Sequence, residues 1–520
     1  MRKTAMTMAR RGFLATCVSS LALAATGGCA SGFTRPAASP GLVFDPAAFT
    51  EQSVTISTET GDRQVVYRFW KAVPYVARPV DAAYQSLNIS LPVSIDGRPV
   101  DASNAPILLA NAVGGYMPSS IASATGVGAG GMGGGMRPPQ GATVPMTEAP
   151  TGSAAMLSRG RMVSNARLAL AAGLVVVEPG ARGRTLTDAA GRFYGVAPAA
   201  IVDLKAAVRY LKANRGRVPG NVDRIVSSGT SAGGALSALL AASGDSPLYQ
   251  AELDAVGAAD ASDAIWACGA WCPITDLEHA DVAYEWNWGR NALASGQSAD
   301  AAISATLAAG FAPYQSLLGL RGRDGFGPLT ADRYGEYLLQ TWLRPAAGRY
   351  LSRLSDADRQ TYLAAHPAIR WDGAEAGFGW DDFLDHVGAR KKAAPAFDAL
   401  DLSTGENNLF GLETTRARHF TDFALRRATG DASATLAADI PEKLRLMNPM
   451  GFIRDGNPGR ARRWWIRVGA KDTDTSLTVV GNLATALENA GDHVDTAIYW
   501  DAGHGANEDA EAFIRWIRES

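Results

Sequence analysis

Gly229-Thr230-Ser231-Ala232-Gly233 reads G-x-S-x-G, a spacing that suits a nucleophilic serine. Arg224–Ser228 before it reads as a strand, and Gly234–Ala242 after it is rich in helix formers. A serine on so sharp a strand-to-helix turn stands clear of the sheet. The flanking glycines are needed because a Cβ there would meet the neighbouring strand or helix. A serine hydroxyl is a weak nucleophile near neutral pH. It needs an imidazole as base, and the imidazole needs a carboxylate to fix its tautomer and stabilise its cation. His504 sits between Gly503 and Gly505, just after a strand expected at Val494–Trp500. The other histidines are placed less well: His279, His366, His386 and His419 fall where no strands are expected, and His493 precedes one. Three aspartates compete for the carboxylate. Asp472 stands three residues after Gly469 at a strand end, Asp474 two further on, and Asp276 after an earlier strand. Asp472 has the spacing for the role. Asp474 points to the same side of an extended loop, where a substrate could meet it.

These side chains need a sheet to hold them. Three β-rich runs, Val54–Ile56, Gln64–Trp70 and Tyr84–Leu91, come first. Then continuous apolar runs, the mark of buried parallel strands, alternate with helical segments. The strands are Pro106–Ala110, Gly173–Val177, Ala264–Cys272 and Arg463–Gly469; the helices are Met162–Ala172, Ala199–Asn214 and Leu477–Ala490. Chain order is serine, acid, histidine, which is the order of α/β-hydrolases. After Pro106–Ala110 stands Asn111-Ala112-Val113-Gly114-Gly115-Tyr116, where such enzymes usually carry His-Gly-Gly-Gly. Its glycines let backbone amides approach an anion, so the amides of Gly114, Gly115 and Ala232 are the expected oxyanion donors. From 277 to 445 the strand pattern stops and tryptophans scatter among polar helical stretches. That length is expected to be a mostly helical lid inserted in the fold.

Composition narrows the class. The 520 residues carry a net charge of −2, so no basic field suggests a nucleic-acid partner. No H-E-x-x-H and no phosphate loop occurs, so neither a metal nor another cofactor is expected. The four cysteines make no disulfide framework, and Cys268 and Cys272 lie too far apart along one strand to bridge. Gly126–Met136 is glycine-rich low-complexity sequence. Residues 1–29 read as an export signal, with Arg10-Arg11 resembling a twin-arginine motif and Thr26-Gly27-Gly28-Cys29 resembling a lipobox. A lipid anchor at Cys29 and a place in the periplasm or cell envelope follow, with residues 30–50 as tether. Oligomeric state is left open.

Six motifs together resemble bacterial tannases, relatives of feruloyl esterases. They are Tyr75-Val76, Tyr84–Ile89, Asn111–Tyr116, Gly229–Gly234, Cys272–Asp276 and Asp472-Thr473-Asp474. The resemblance implies an α/β-hydrolase core over 51–276 and 446–520, with the lid at 277–445 between them. It implies hydrolysis of a small-molecule galloyl ester through Ser231, Asp472 and His504. It also implies that Lys392, Glu406 and Asp474 hold the phenolic hydroxyls, with Lys391 as the neighbour able to replace Lys392. Carboxylates accept from phenol O–H groups and an ammonium donates. Three other readings share features with this one. They are a feruloyl or chlorogenate esterase, a peptidase of the prolyl-oligopeptidase kind, and a non-catalytic polyphenol-binding lipoprotein. No propeller repeat supports the peptidase.

Overall fold

The sheet is built outward from strands that are apolar along their whole length. Ile107–Leu109 and Val175–Val177 have no exposed surface, as expected for strands covered on both faces. In the computed structural model, which describes residues 42–129 and 164–519, nine strands form one continuous path. We number them β1 (Thr50–Thr58), β2 (Gly61–Pro74), β3 (Ser86–Ile95), β4 (Pro106–Ala110), β5 (Val175–Pro179), β6 (Asn221–Thr230), β7 (Ala267–Trp271), β8 (Arg463–Gly469) and β9 (His493–Tyr499). Their spatial order is β1-β2-β3-β5-β4-β6-β7-β8-β9. Pairs from β1 to β5 are antiparallel, and every pair from β5 to β9 is parallel. The parallel half puts the ends of β4, β6, β7, β8 and β9 along one edge, where open α/β sheets place their sites.

Helices pack against the sheet. Ala199–Ala213 and Ala232–Ala242 are buried along almost their full length, and Leu477–Asn489 packs beside β8 and β9. The expected insertion is mostly helical, including Ala280–Trp288, Ala301–Leu318, Asp356–Ala365 and Trp380–Val387. Two small hairpins, 321–328 and 370–377, interrupt it. It is joined to the sheet through one hydrophobic core. The Tyr334 hydroxyl donates to Asn482 Oδ1 at 2.8 Å, and the Trp288 indole donates to Thr475 O at 2.7 Å. The lid is therefore built onto the sheet, without a core of its own.

The expected tether ends too late. Leu42 and Phe44 are each 1% exposed, and Asn214 pins both: its Oδ1 accepts from Phe44 N and its Nδ2 donates to Leu42 O. The export signal, Cys29, the first part of the tether and most of the glycine-rich run lie outside the described residues. No helix among the described residues is long and apolar enough to cross a membrane.

Candidate active site

Ser231 sits between β6 and the helix Ala232–Ala242 with φ 60° and ψ −125°, a conformation that non-glycine residues rarely adopt. The elbow leaves no room beside it. A Cβ on Gly229 would lie 2.3 Å from Gly233 O, and one on Gly233 would lie 2.5 Å from Val113 O. The Ser231 amide donates to Trp271 O at 2.9 Å, which fixes the turn against β7.

The expected partners converge. Ser231 Oγ lies 2.8 Å from His504 Nε2. His504 Nδ1 lies 2.9 Å from both carboxylate oxygens of Asp472, which has no exposed surface. With the Nδ1 hydrogen on the carboxylate, Nε2 is left bare to accept the serine proton. Burial disfavours the imidazolium, yet the adjacent Asp472 carboxylate outweighs it and raises the proton affinity of His504. The arrangement can draw the hydroxyl proton onto nitrogen and hold the resulting cation. Asp276, the third acidic candidate, is occupied elsewhere: it accepts from Tyr314, Asn448 and His279 at 2.6, 2.8 and 2.9 Å.

The loop after β4 is fastened to the elbow by Asn111. Its Nδ2 donates to Gly233 O and its Oδ1 accepts from Val113 N, both at 3.0 Å. The asparagine thus orients the loop that carries Gly114 and Gly115. Gly115 has φ +55°, and its carbonyl accepts from Arg184 Nε at 2.8 Å. The amides of Ala232, Gly114 and Gly115 donate to no group among the described residues. They remain able to receive a negative oxygen.

The lid places its charged residues unevenly. Asp474 Oδ2 is 4.0 Å from His504 Nδ1, and its Oδ1 accepts from Lys391 Nζ at 2.6 Å. Lys392 Nζ instead lies 3.6 Å from the centre of the Phe397 ring. The chain direction here is set from below. Arg390 is buried in an ion pair with Glu285, and its Nε donates to Lys392 O at 2.8 Å. The Tyr284 hydroxyl accepts from Lys392 N and donates to Thr473 O between the two aspartates. Glu406 lies in the first turn of the helix Gly405–Leu409. The Tyr116 phenol, at the end of the Asn111 loop, is raised by burial and further by the Glu406 charge.

Cys272 is the neighbour that the sequence did not single out for the site. It is a free thiol, 1% exposed, at φ 39° just past the end of β7. A position just past a parallel-strand end, like that of the elbow, was the available signal. Cys272, Asp472 and His504 offer donor atoms within 4.8 Å of one another, as do Asp276, Glu278 and His279. In each set the aspartate and histidine are already bonded to each other.

A family model described as BD-FAE matches residues 191–309. No curated protein matches. The solved tannase of Fusobacterium nucleatum is 36% identical, covers 92% of this chain and 99% of its own, and superposes with a TM-score of 0.74. The native tannin acyl hydrolase of Lactobacillus plantarum is 34% identical over 92% of this chain and 98% of its own, with a TM-score of 0.72. A tannin acyl hydrolase in complex with ethyl gallate gives the same figures. Likeness of sequence and of fold over nine-tenths of its length shows that this chain belongs to the bacterial tannases, carboxylic ester hydrolases of the α/β-hydrolase fold.

Proposed function

We propose that the protein hydrolyses galloyl esters to gallate and an alcohol through an acyl-enzyme on Ser231. The observation that carries this reading is the hydrogen-bonded series Ser231–His504–Asp472, with Asp474 and Lys391 at its mouth. Ser231 Oγ attacks the ester carbonyl while its proton passes to His504 Nε2. The amides of Ala232, Gly114 and Gly115 receive the oxyanion. Collapse of the tetrahedral species expels the alcohol, which takes the proton from His504. A water then attacks the acyl-enzyme with His504 again as base, releasing gallate and free Ser231. Asp472 stays ionised and holds the imidazole throughout.

Substrate recognition rests on polar side chains. Asp474 and Glu406 accept from the ring hydroxyls, and a lysine donates. Lys391 is the better placed of the two lysines, because its ammonium already meets Asp474. Support also comes from the ethyl gallate and 3,4-dihydroxybenzoate complexes of related tannin acyl hydrolases. The match to the BD-FAE family model favours a second reading, an esterase of feruloyl type. Turnover of methyl gallate beside methyl ferulate separates them. Gallate hydrolysis with a burst of alcohol supports the first reading, and preference for ferulate supports the second. A protein that binds both without turning over either would be a non-catalytic polyphenol binder.

The protein is further proposed to act outside the cytoplasm, in the periplasm or anchored to the cell envelope. The supporting features are Arg10-Arg11, the apolar run after them and Cys29. Mass spectrometry of the mature N-terminus tests this: an acylated Cys29 is expected, and an unprocessed Met1 would contradict export.

A further inference from the structure

The loops that carry Asp472 and His504 are held together from behind, and the lid does part of the holding. Lys471 precedes Asp472. Its amide donates to Ala502 O at 2.9 Å, and its ammonium lies 2.8 Å from Asp501 Oδ1. Asp501 stands three residues before His504 at φ 62°, in a turn that redirects the chain into the histidine loop. The two loops approach backbone to backbone: a Cβ on Gly469 would fall 2.2 Å from Ala502 O.

The same carboxylate takes two donors from the lid. His386 Nε2 lies 2.6 Å from Asp501 Oδ1, and the Tyr362 hydroxyl lies 2.5 Å from Oδ2. Tyr362 belongs to the helix Asp356–Ala365 and His386 to Trp380–Val387. Trp500 closes the cluster. Its indole donates to the Tyr362 oxygen at 2.8 Å, and its ring stacks on His386 with 4.9 Å between centres and 10° between planes. His386 Nδ1 is buried without a partner among the described residues, and Nε2 is the nitrogen that donates, toward the Asp501 carboxylate. Burial opposes the Asp501 charge, but the His386 bond and the Lys471 ammonium hold its carboxyl well below the usual carboxylate range. One ionised group therefore receives donors from the acid loop and from two lid helices.

We infer that Asp501 is a positioning residue for ester hydrolysis, locking the Asp472 and His504 loops to each other through Lys471 and to the lid through His386 and Tyr362. This rests on the reading of Ser231, His504 and Asp472 as the reacting groups. Asp501 acts through the loops and touches no substrate. A small drift of His504 breaks its alignment with Ser231 and slows every ester alike, since misplacement of about an ångström can cost on the order of a hundredfold. It leaves the contacts to the ring hydroxyls in place.

The test compares Asp501→Ala with Asp501→Asn, which keeps the shape and an acceptor oxygen but loses the charge. The probe is a fluorophosphonate, whose rate of reaction with Ser231 reads activation by His504 whatever the natural ester is. A protein inactive on gallate would leave this test standing. We expect Asp501→Ala to slow labelling by roughly tenfold or more and to lower kcat on methyl gallate and methyl benzoate by a similar factor. KM should stay within about twofold, and Asp501→Asn should recover part of the loss. Tyr362→Phe, a milder change, should slow labelling by about threefold, the loss of one hydrogen bond. Normal labelling with only a lowered melting temperature would overturn the inference. So would a kcat loss confined to methyl gallate, which would make Asp501 a support for the ring-binding residues alone.

Discussion

At the residue scale, two aspartates two positions apart are given different work by their partners. Both oxygens of Asp472 face His504 Nδ1, whereas Asp474 reaches out to Lys391. Ser231→Ala should lower turnover by about 10⁴- to 10⁶-fold and abolish fluorophosphonate labelling, as losing a triad serine does elsewhere. Labelling that persists would name another nucleophile. Asp472→Asn should damage all esters alike, because it removes the charge that holds His504 in its working tautomer. Initial rates on methyl gallate and methyl benzoate check this, and a loss confined to gallate would exchange the roles of the two aspartates. The elbow and this aspartate pair were legible in the sequence because strain and spacing restrict them: only glycine fits at 229 and 233, and the acid must follow a strand end.

At the scale of elements, the sheet and the helical character of residues 277–445 could be read, but not which side chains of that insertion meet the site. Buried parallel strands announce themselves as apolar runs, so Pro106–Ala110 and Arg463–Gly469 were expected at the limits observed. The lid's positions are set by contacts distant in sequence, which no local pattern encodes. Whether Lys391 or Lys392 turns toward Asp474 depends on Arg390, which is captured by Glu285 105 residues earlier. Leu42 and Phe44 looked like tether because Asn214, which pins them, lies far along the chain. Glu285 and Arg390 are both fully buried, and Ser304 Oγ also donates to Glu285 at 2.6 Å. Glu285→Ala would leave a buried guanidinium unpaired, at a cost of roughly 3–5 kcal/mol. Thermal unfolding should show the loss. The activity of the surviving protein on methyl gallate should fall more than on methyl benzoate, because Lys391 and Lys392 lose their support. Equal losses on both esters would show that the pair stabilises the fold without placing the lysines.

At the scale of the whole molecule, two buried carboxyls set how stability responds to pH. Glu178, whose oxygens face the Gly128 amide, and Asp281, which accepts from Phe397 N and Asp398 N, are both raised to about 7, chiefly by burial. Each is protonated in the folded state up to near neutrality, whereas an unfolded carboxyl loses its proton near pH 4. Between these limits the folded state binds more protons, so stability falls as pH rises from about 4 to 7. A melting temperature higher at pH 5.5 than at pH 8.0 is expected, with a smaller difference in Glu178→Gln; a rise toward pH 8.0 would contradict it. On the proposed function, the same sheet edge gathers a general acylation device and a set of charged groups that distinguishes one acyl group from others. If that is right, specificity and catalysis should separate on mutation. The most direct measurement is kcat/KM on methyl gallate and methyl benzoate for the wild type and Asp474→Ala. Each charge-assisted bond to a ring hydroxyl accounts for about 1.5–3 kcal/mol. The wild type should therefore favour gallate strongly, and Asp474→Ala should lose roughly ten- to a hundredfold on gallate with little change on benzoate. A wild type that treats the two esters alike, or an Asp474→Ala protein equally impaired on both, would contradict it.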